Sequence, residues 1–182
     1  MACELTTGFG LDCNSATGGI LTIYLQKWSA FRTGVALDAT SGEVDALPEA
    51  TIYPYDALKG LANNFEETIS NEAAGSIAYT PTINLQLKKL SAAKQKQLHL
   101  LAQSRVVAFV LDANQNIWMF GRQNGLLLTT ATGATGTANA DFNGYTIALT
   151  GEEPNRAPRL ESFTTDPFDN FADITIGSQI TA

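Results

Sequence analysis

The chain holds a single histidine, His99, and two cysteines, Cys3 and Cys13, in 182 residues. That is too small a donor set for a zinc centre of the His/Cys kind. His99 has no nucleophile or carboxylate at a spacing that suggests a triad, so it reads as a surface or half-buried helix histidine. No G-x-S-x-G elbow, phosphate-binding loop or Rossmann fingerprint occurs. Carboxylate pairs stand at Glu66-Glu67 and Glu152-Glu153. Neighbours on a strand point to opposite faces, so Glu66 and Glu67 do not make the facing pair that a glycosidase needs. The expectation is a protein with no catalytic residues, no metal and no cofactor.

Charge is also scarce. Charged residues make up 16% of the chain, and 11 Lys and Arg against 18 Asp and Glu leave a net charge of −7. A basic deficit of this size argues against general affinity for nucleic-acid backbones. No run approaches the ~18 consecutive apolar residues of a membrane span. The first residues lack the basic start and apolar core of a secretory signal. The expectation is a chain made and used without export, with its two thiols reduced.

What is present is β-patterning. A chain of this length forms one domain with a core large enough to stand without staples. Its most organised stretch runs from Gly60 to Asp112. From Gly75 to Leu90, Ile77, Tyr79, Ile83, Leu85 and Leu87 take the odd positions; Thr80, Thr82, Asn84 and Gln86 take the even ones. Leu61 to Ser70 repeats the pattern, with Phe65 and Ile69 odd, Glu66, Thr68 and Ser70 even, and Glu67 out of phase. Strict alternation of this kind predicts two half-buried strands with one apolar and one hydrophilic face. Ser91 is a good N-cap residue, and Ala92 to Gln103 consists largely of helix formers with Leu98, Leu101 and Ala102 on one stripe. Arg105 to Leu111 is nearly all apolar, as a strand covered on both faces should be.

Around this stretch the signals are shorter. Residues 1–19 read as an aperiodic, glycine-punctuated arm. Ile20 to Lys27 reads as a central strand with Leu21, Ile23 and Leu25 on one face; Trp28 and Phe31 read as packing residues. Between Thr33 and Ala57, short strands are expected near Val44–Leu47 and Thr51–Tyr55. Asp112 to Asn116 reads as a hairpin turn into Ile117–Gly121, and Asn124-Gly125 as a second hairpin into Leu126–Thr130. Thr132 to Ala140 reads as a small-residue loop that only a neighbour would shape. Tyr145 to Thr150 is the last regular strand, and Gly151 to Pro158 ends the compact part. Residues 161–182 read as a C-terminal arm with one short strand at Ile174–Ile176. The domain is expected over residues 20–160.

The order of these pieces resembles that of tail tube proteins of tailed bacteriophages, with tube proteins of contractile injection systems as relatives. The features that carry the resemblance span about Gly18 to Leu160. They are the Gly18-Gly19 start, the early strand, the long polar-faced hairpin, the short helix and the apolar strand. To these are added Asp112-x-Asn114-x-Asn116-x-Trp118 and the ending Asn143-Gly-Tyr-Thr-Ile-Ala-Leu-Thr-Gly-Glu-Glu153. The Cys3–Cys13 segment and the C-terminal tail lie outside it.

The resemblance implies a mainly β fold, a β-sandwich or barrel with one short flanking helix, a long inner hairpin and extended terminal arms. Six copies would join into a ring, and rings would stack into a tube in the virion tail, assembled in the host cytoplasm. The partners would be further copies, other tail proteins, and DNA only as non-specific cargo, with no membrane. Glu66, Thr68, Ser70, Thr80, Thr82, Asn84 and Gln86 would face the lumen, with Lys88 at its rim. Asn71, Glu72, Ala73, Ala74, Gly75, Thr132, Gly133, Ala134, Thr135 and Gly136 would meet neighbouring subunits, since they lack apolar anchors of their own. The alternatives are another head-to-tail or tail ring protein, and a monomeric β-sandwich binding module with Tyr53, Tyr55 and Trp118 lining its site. A small hydrolase with an unrecognised site is a further one.

Overall fold

The computed structural model describes residues 7–10, 15–57, 63–71 and 76–180; Cys3, Cys13, Glu72, Ala73, Ala74 and Gly75 lie outside them. The strands in chain order are β1 (Ile20–Lys27), β2 (Ala36–Leu37), β3 (Val44–Ala46), β4 (Ala50–Asp56), β5 (Asn64–Asn71) and β6 (Ile77–Lys88). They continue with β7 (Val106–Asp112), β8 (Ile117–Phe120), β9 (Leu127–Ala134), β10 (Gly144–Thr150) and β11 (Ile174–Ile176). One helix, α1 (Ala92–Ala102), separates β6 from β7. The strands form a five-stranded sheet, β11-β4-β1-β7-β8, a four-stranded sheet, β5-β6-β10-β9, and the small ribbon β2-β3. All pairings are antiparallel except β11 on β4. The fold is mainly β, as the alternation predicts.

The alternating strands decide how the sheets pack. Ile83 and Leu85 of β6 and Ile147 and Leu149 of β10 bury against Ile23, Leu25, Val110 and Phe120 of the larger sheet. Each such side chain contributes about 1.5–3 kcal/mol through loss of water contact. The opposite face of the larger sheet carries Tyr24, Phe109 and Met119 under a second cluster that includes Phe31, Val44, Leu160, Phe168 and Phe171. β7 therefore has both faces covered, which accounts for its unbroken apolar run. The result is a β-sandwich with an extra layer, and among the described residues each of the two sheets is an open strand order. Ser91 caps α1, its hydroxyl accepting from the Lys94 N–H at 3.3 Å, and Leu98 and Leu101 turn inward. Ala102 does not: it is exposed.

Other sequence expectations fail for identifiable reasons. Leu21 does not share a face with Ile23 and Leu25. A register shift between Ile20 and Thr22 puts Ile20 in the core between the sheets and turns Leu21 to the opposite cluster. Asn124-Gly125 is not a hairpin between paired strands, because β8 and β9 belong to different sheets. The turn crosses the sandwich instead, held by Glu153. That buried carboxylate accepts the backbone N–H groups of Gln123 at 2.9 Å, Asn124 at 2.8 Å and Gly125 at 3.2 Å.

Thr132–Ala134 belong to β9 rather than to a loop. The turn beyond is shaped from within the chain: the Asp141 carboxylate accepts from the N–H of Thr137 and of Ala138, both at 2.7 Å. The compact part does not end at Pro158. The Leu160 N–H donates to the Ile117 carbonyl and the Val44 N–H to the Arg159 carbonyl, so this segment runs between β8 and β3. Nor do residues 161–180 form an extended arm. Phe168 and Phe171 are buried, and β11 pairs with β4.

Candidate assembly surface and interlayer groove

The register of the four-stranded sheet brings the seven expected polar residues of the hairpin to one face, with Asn64 beside them. Glu66 lies opposite Thr82, Thr68 opposite Thr80, and Asn64 opposite Asn84. Ser70 lies opposite Ala78, and Gln86 opposite Thr146 of β10. Directly opposed residues share a face, so Thr146, Ala148 and Thr150 of β10 extend the same surface. Thr130 and Thr132 of β9 extend it further. Hydrogen bonds knit it: the Asn84 amide donates to Asn64 Oδ1 at 3.1 Å, and the Asn64 amide to Glu66 Oε1 at 3.0 Å. Its ionisable groups are Glu66 and, where β6 ends, Lys88. Glu67, the residue out of phase, faces the other way. Its carboxylate accepts from Arg156 Nε at 3.0 Å and from the Ala157 N–H at 2.9 Å, so the 153–158 segment explains it.

The odd face is buried only along part of its length. Ile83 and Leu85 are fully covered, but Ile69 is 60% and Ile77 53% exposed. The expectation that the whole odd face turns to the core is therefore wrong at the far end. There the described residues leave both side chains largely uncovered. Ile69 lies opposite Tyr79, and Ile77 opposite Asn71, so the two isoleucines share one patch beside the end of β5.

The two edges of this sheet differ. β5 carries Glu66 and Glu67. β9 continues into the stretch Leu126–Ala140, which contains no charged residue and no proline, and nearly all of β9 is exposed. A register shift between Ala148 and Leu149 puts a bulge at Thr129 of β9; beyond it, residues 130–134 form an edge with neither lysine nor proline, open to pairing with another strand. Thr132, Gly133 and Ala134 lie on it, and Thr135 and Gly136 follow it. Glu72 to Gly75, expected at the same kind of contact, lie outside the described residues.

The second feature is a groove of about 660 Å³ on the side of the sandwich where α1 sits. Its walls include Leu25, Tyr53 and Tyr55 from the larger sheet, Leu87 from β6, and Leu98 and Leu100 from α1. Among the described residues, Lys27, Lys88 and Lys94 stand around it with a single carboxylate, Asp56, and Ser178, Gln179 and Ile180 line it as well. Burial pushes the Tyr55 phenol above its usual pKa, so it remains neutral. Trp118 does not join the two tyrosines. It sits across Val110 and Ile23 from Tyr55, three strand spacings or about 14 Å away. Its indole N–H donates to Asp112 Oδ2 at 3.1 Å.

Asp112 itself is saturated. Oδ1 also accepts from the N–H groups of Asn114 at 2.8 Å and Asn116 at 2.9 Å, so this motif is a hairpin staple. His99 lies exposed on α1 beside Gln103. No described helix is long and apolar enough to cross a membrane. Comparison with known protein families gives no match, and a search of characterised proteins finds none significantly similar.

Proposed function

We propose that this chain is a non-enzymatic virion structural protein that self-assembles into stacked rings, with six copies per ring, forming a bacteriophage tail tube through which DNA passes. The observation that carries the reading is the four-stranded sheet. It combines a polar outer face with an edge at β9 that carries neither charge nor proline, and an exposed Ile69–Ile77 patch at the hairpin end. Such a sheet is a hazard on a free monomer. In a ring, β9 of one copy meets β5 of the next, the patch is covered, and the polar face of every copy turns to a common channel.

The wall so formed consists mainly of Thr, Ser, Asn and Gln. It offers phosphates no guanidinium and bases no stacking platform, so DNA has little to bind. Lys88 falls at the channel rim in this arrangement. Size-exclusion chromatography with electron microscopy tests the reading: rings or tubes are expected at high protein concentration, and a compact monomer at every concentration would overturn it. The interlayer groove favours one second reading, a monomeric binding module using Tyr53 and Tyr55; a persistent monomer that takes up a small ligand would support it.

A further inference from the structure

Uncovered apolar surface gathers around the interlayer groove. Of the large apolar side chains left exposed, Tyr53, Leu100 and Ile180 all line it. Tyr55 and Leu98 line it from deeper in the fold. Along α1, Lys94, Leu98 and Leu101 recur four and three residues apart, so one face of the helix forms a wall. At about 660 Å³ the cleft has the size of those that take small organic molecules.

Its charge opposes that of the chain. Acidic residues outnumber basic ones 18 to 11 overall. Around the groove, among the described residues, three lysines stand against one carboxylate. Lys94 is held at the wall: its Nζ donates to the Lys88 carbonyl at 2.7 Å. An ammonium has three donors, so this bond does not use up its charge. A lysine so placed lays its methylene stem on apolar surface and keeps its charge at the water boundary. The combination selects a molecule with an apolar body and an anionic end.

The shape narrows the class. Asp56 lies opposite Thr22, five residues along β1 from Lys27, so the wall between these two groove residues is about 16 Å long. That suits an extended unbranched chain better than a compact ring. A peptide added as a strand is disfavoured. The Ile52 carbonyl accepts from the Gly177 N–H at the outer edge of β4, and two residues on, Pro54 has no N–H to offer there. The occupant is therefore held by apolar contact and charge rather than by a backbone ladder.

We infer that the interlayer groove binds a free single-chain carboxylate of the fatty-acid class, its hydrocarbon chain against Tyr53, Tyr55, Leu98 and Leu100 and its charge answered by the lysines at the rim. The inference goes beyond the tube reading and does not depend on it; it gives the binding-module reading a ligand class. Isothermal titration calorimetry on the full-length chain tests it. The probe is decanoate below its micelle-forming concentration, and the comparison is decanol, the same chain without the charge. One decanoate per chain should bind, at least about fivefold tighter than decanol, as an ion pair at a partly exposed site implies. Hexanoate, with less chain to bury, should bind at least about tenfold more weakly than decanoate.

Lys27→Met with Lys94→Met should abolish the preference for the anion and keep decanol uptake. Lys96→Met, exposed on the same helix but off the groove, should leave the preference intact. Tyr53→Ser with Leu100→Ser, both at exposed sites, should weaken the two ligands alike, with circular dichroism unchanged. No decanoate uptake by the native chain overturns the inference. So does equal affinity for decanoate and decanol, or a loss with Lys96→Met equal to that of the double lysine variant. Binding to phosphatidylglycerol vesicles without uptake of free decanoate also overturns it, since a bilayer surface would then be the ligand. Electron microscopy of the same samples separates this from the tube reading. Tubes that take up no decanoate overturn the ligand and leave the tube standing; decanoate uptake by a chain that stays monomeric does the reverse.

Discussion

At the scale of single residues, the carboxylates act as fasteners for backbone. Glu153 is buried and accepts three consecutive N–H groups of the crossing turn at 123–125. Charge-assisted bonds to backbone are worth more than neutral ones, and their loss strands buried donors. Glu153→Gln should therefore destabilise the fold by about 1.5–3 kcal/mol, seen as a lower midpoint in urea unfolding; an unchanged midpoint would contradict this account of the turn.

Three aspartates nearer the surface, Asp38, Asp141 and Asp169, do the same. Hydrogen bonds from Thr164, Thr165 and Asp166 hold Asp169 at a pKa of about 2 instead of the ordinary 3.8. Asp38 and Asp141 are lowered by backbone N–H donors of Ser41 and Ala138 respectively. A carboxylate whose folded pKa lies below its unfolded one stabilises the fold above the unfolded value. That contribution disappears as pH falls through the folded value. For Asp169 the window runs from about pH 4 down to about pH 2. The melting-temperature difference between the native chain and Asp169→Asn should be largest near neutral pH and shrink across that window; a constant difference would refute the linkage.

At the scale of elements, the central hairpin serves two environments along one strand pair. Its inner half, at Ile83 and Leu85, is locked between sheets. Leu85→Ala should cost about 2–5 kcal/mol, the usual range for emptying a packed core site. Its outer half, at Ile69 and Ile77, stands free. Replacing both isoleucines by Ser should change monomer stability by no more than about 0.5 kcal/mol. The same pair of changes should lower the mass of assemblies in sedimentation velocity. Assembly at the native level with both serines in place would remove the patch from the proposed ring contact. Helix α1 and β7 were legible in the chain because each carries a complete local signal: a cap with an apolar stripe, and an uninterrupted apolar run. The turn at Asn124-Gly125 was misread because its short-range chemistry is that of a hairpin, while a buried glutamate 28 residues away determines which sheet the next strand joins.

At the scale of the whole molecule, the proposed tube makes the outer sheet face a channel wall, and charge is the property to alter. Replacing Glu66, Thr82 and Asn84 by Lys adds four units of positive charge to that face, one from each lysine and one from the lost carboxylate. These side chains lie on the solvent side of the sheet, so tubes should still form. Double-stranded DNA should then be retained at low salt and released as salt rises, since phosphate contacts exchange with counterions. Native tubes should show no such retention, and delivery of DNA through the lysine tubes should slow. Unaltered passage through tubes carrying all three lysines would exclude this face from the channel.

The sequence by itself determined the class of fold and the two-sidedness of its main sheet, because alternation, capping and apolar runs act between neighbours a few residues apart. It also determined which hairpin residues share the polar face, since parity in a strand leaves no freedom once one face is buried. Only the tertiary structure decided where Leu21 points, where β9 pairs, why Glu67 is out of phase, and that Phe168 and Phe171 close the second core rather than trail in an arm. Those outcomes depend on a register shift, on a carboxylate meeting distant backbone donors, and on aromatic side chains reaching a sheet formed more than fifty residues earlier. A linear pattern carries no record of which distant surface will be left uncovered, and that is what decides where such residues go.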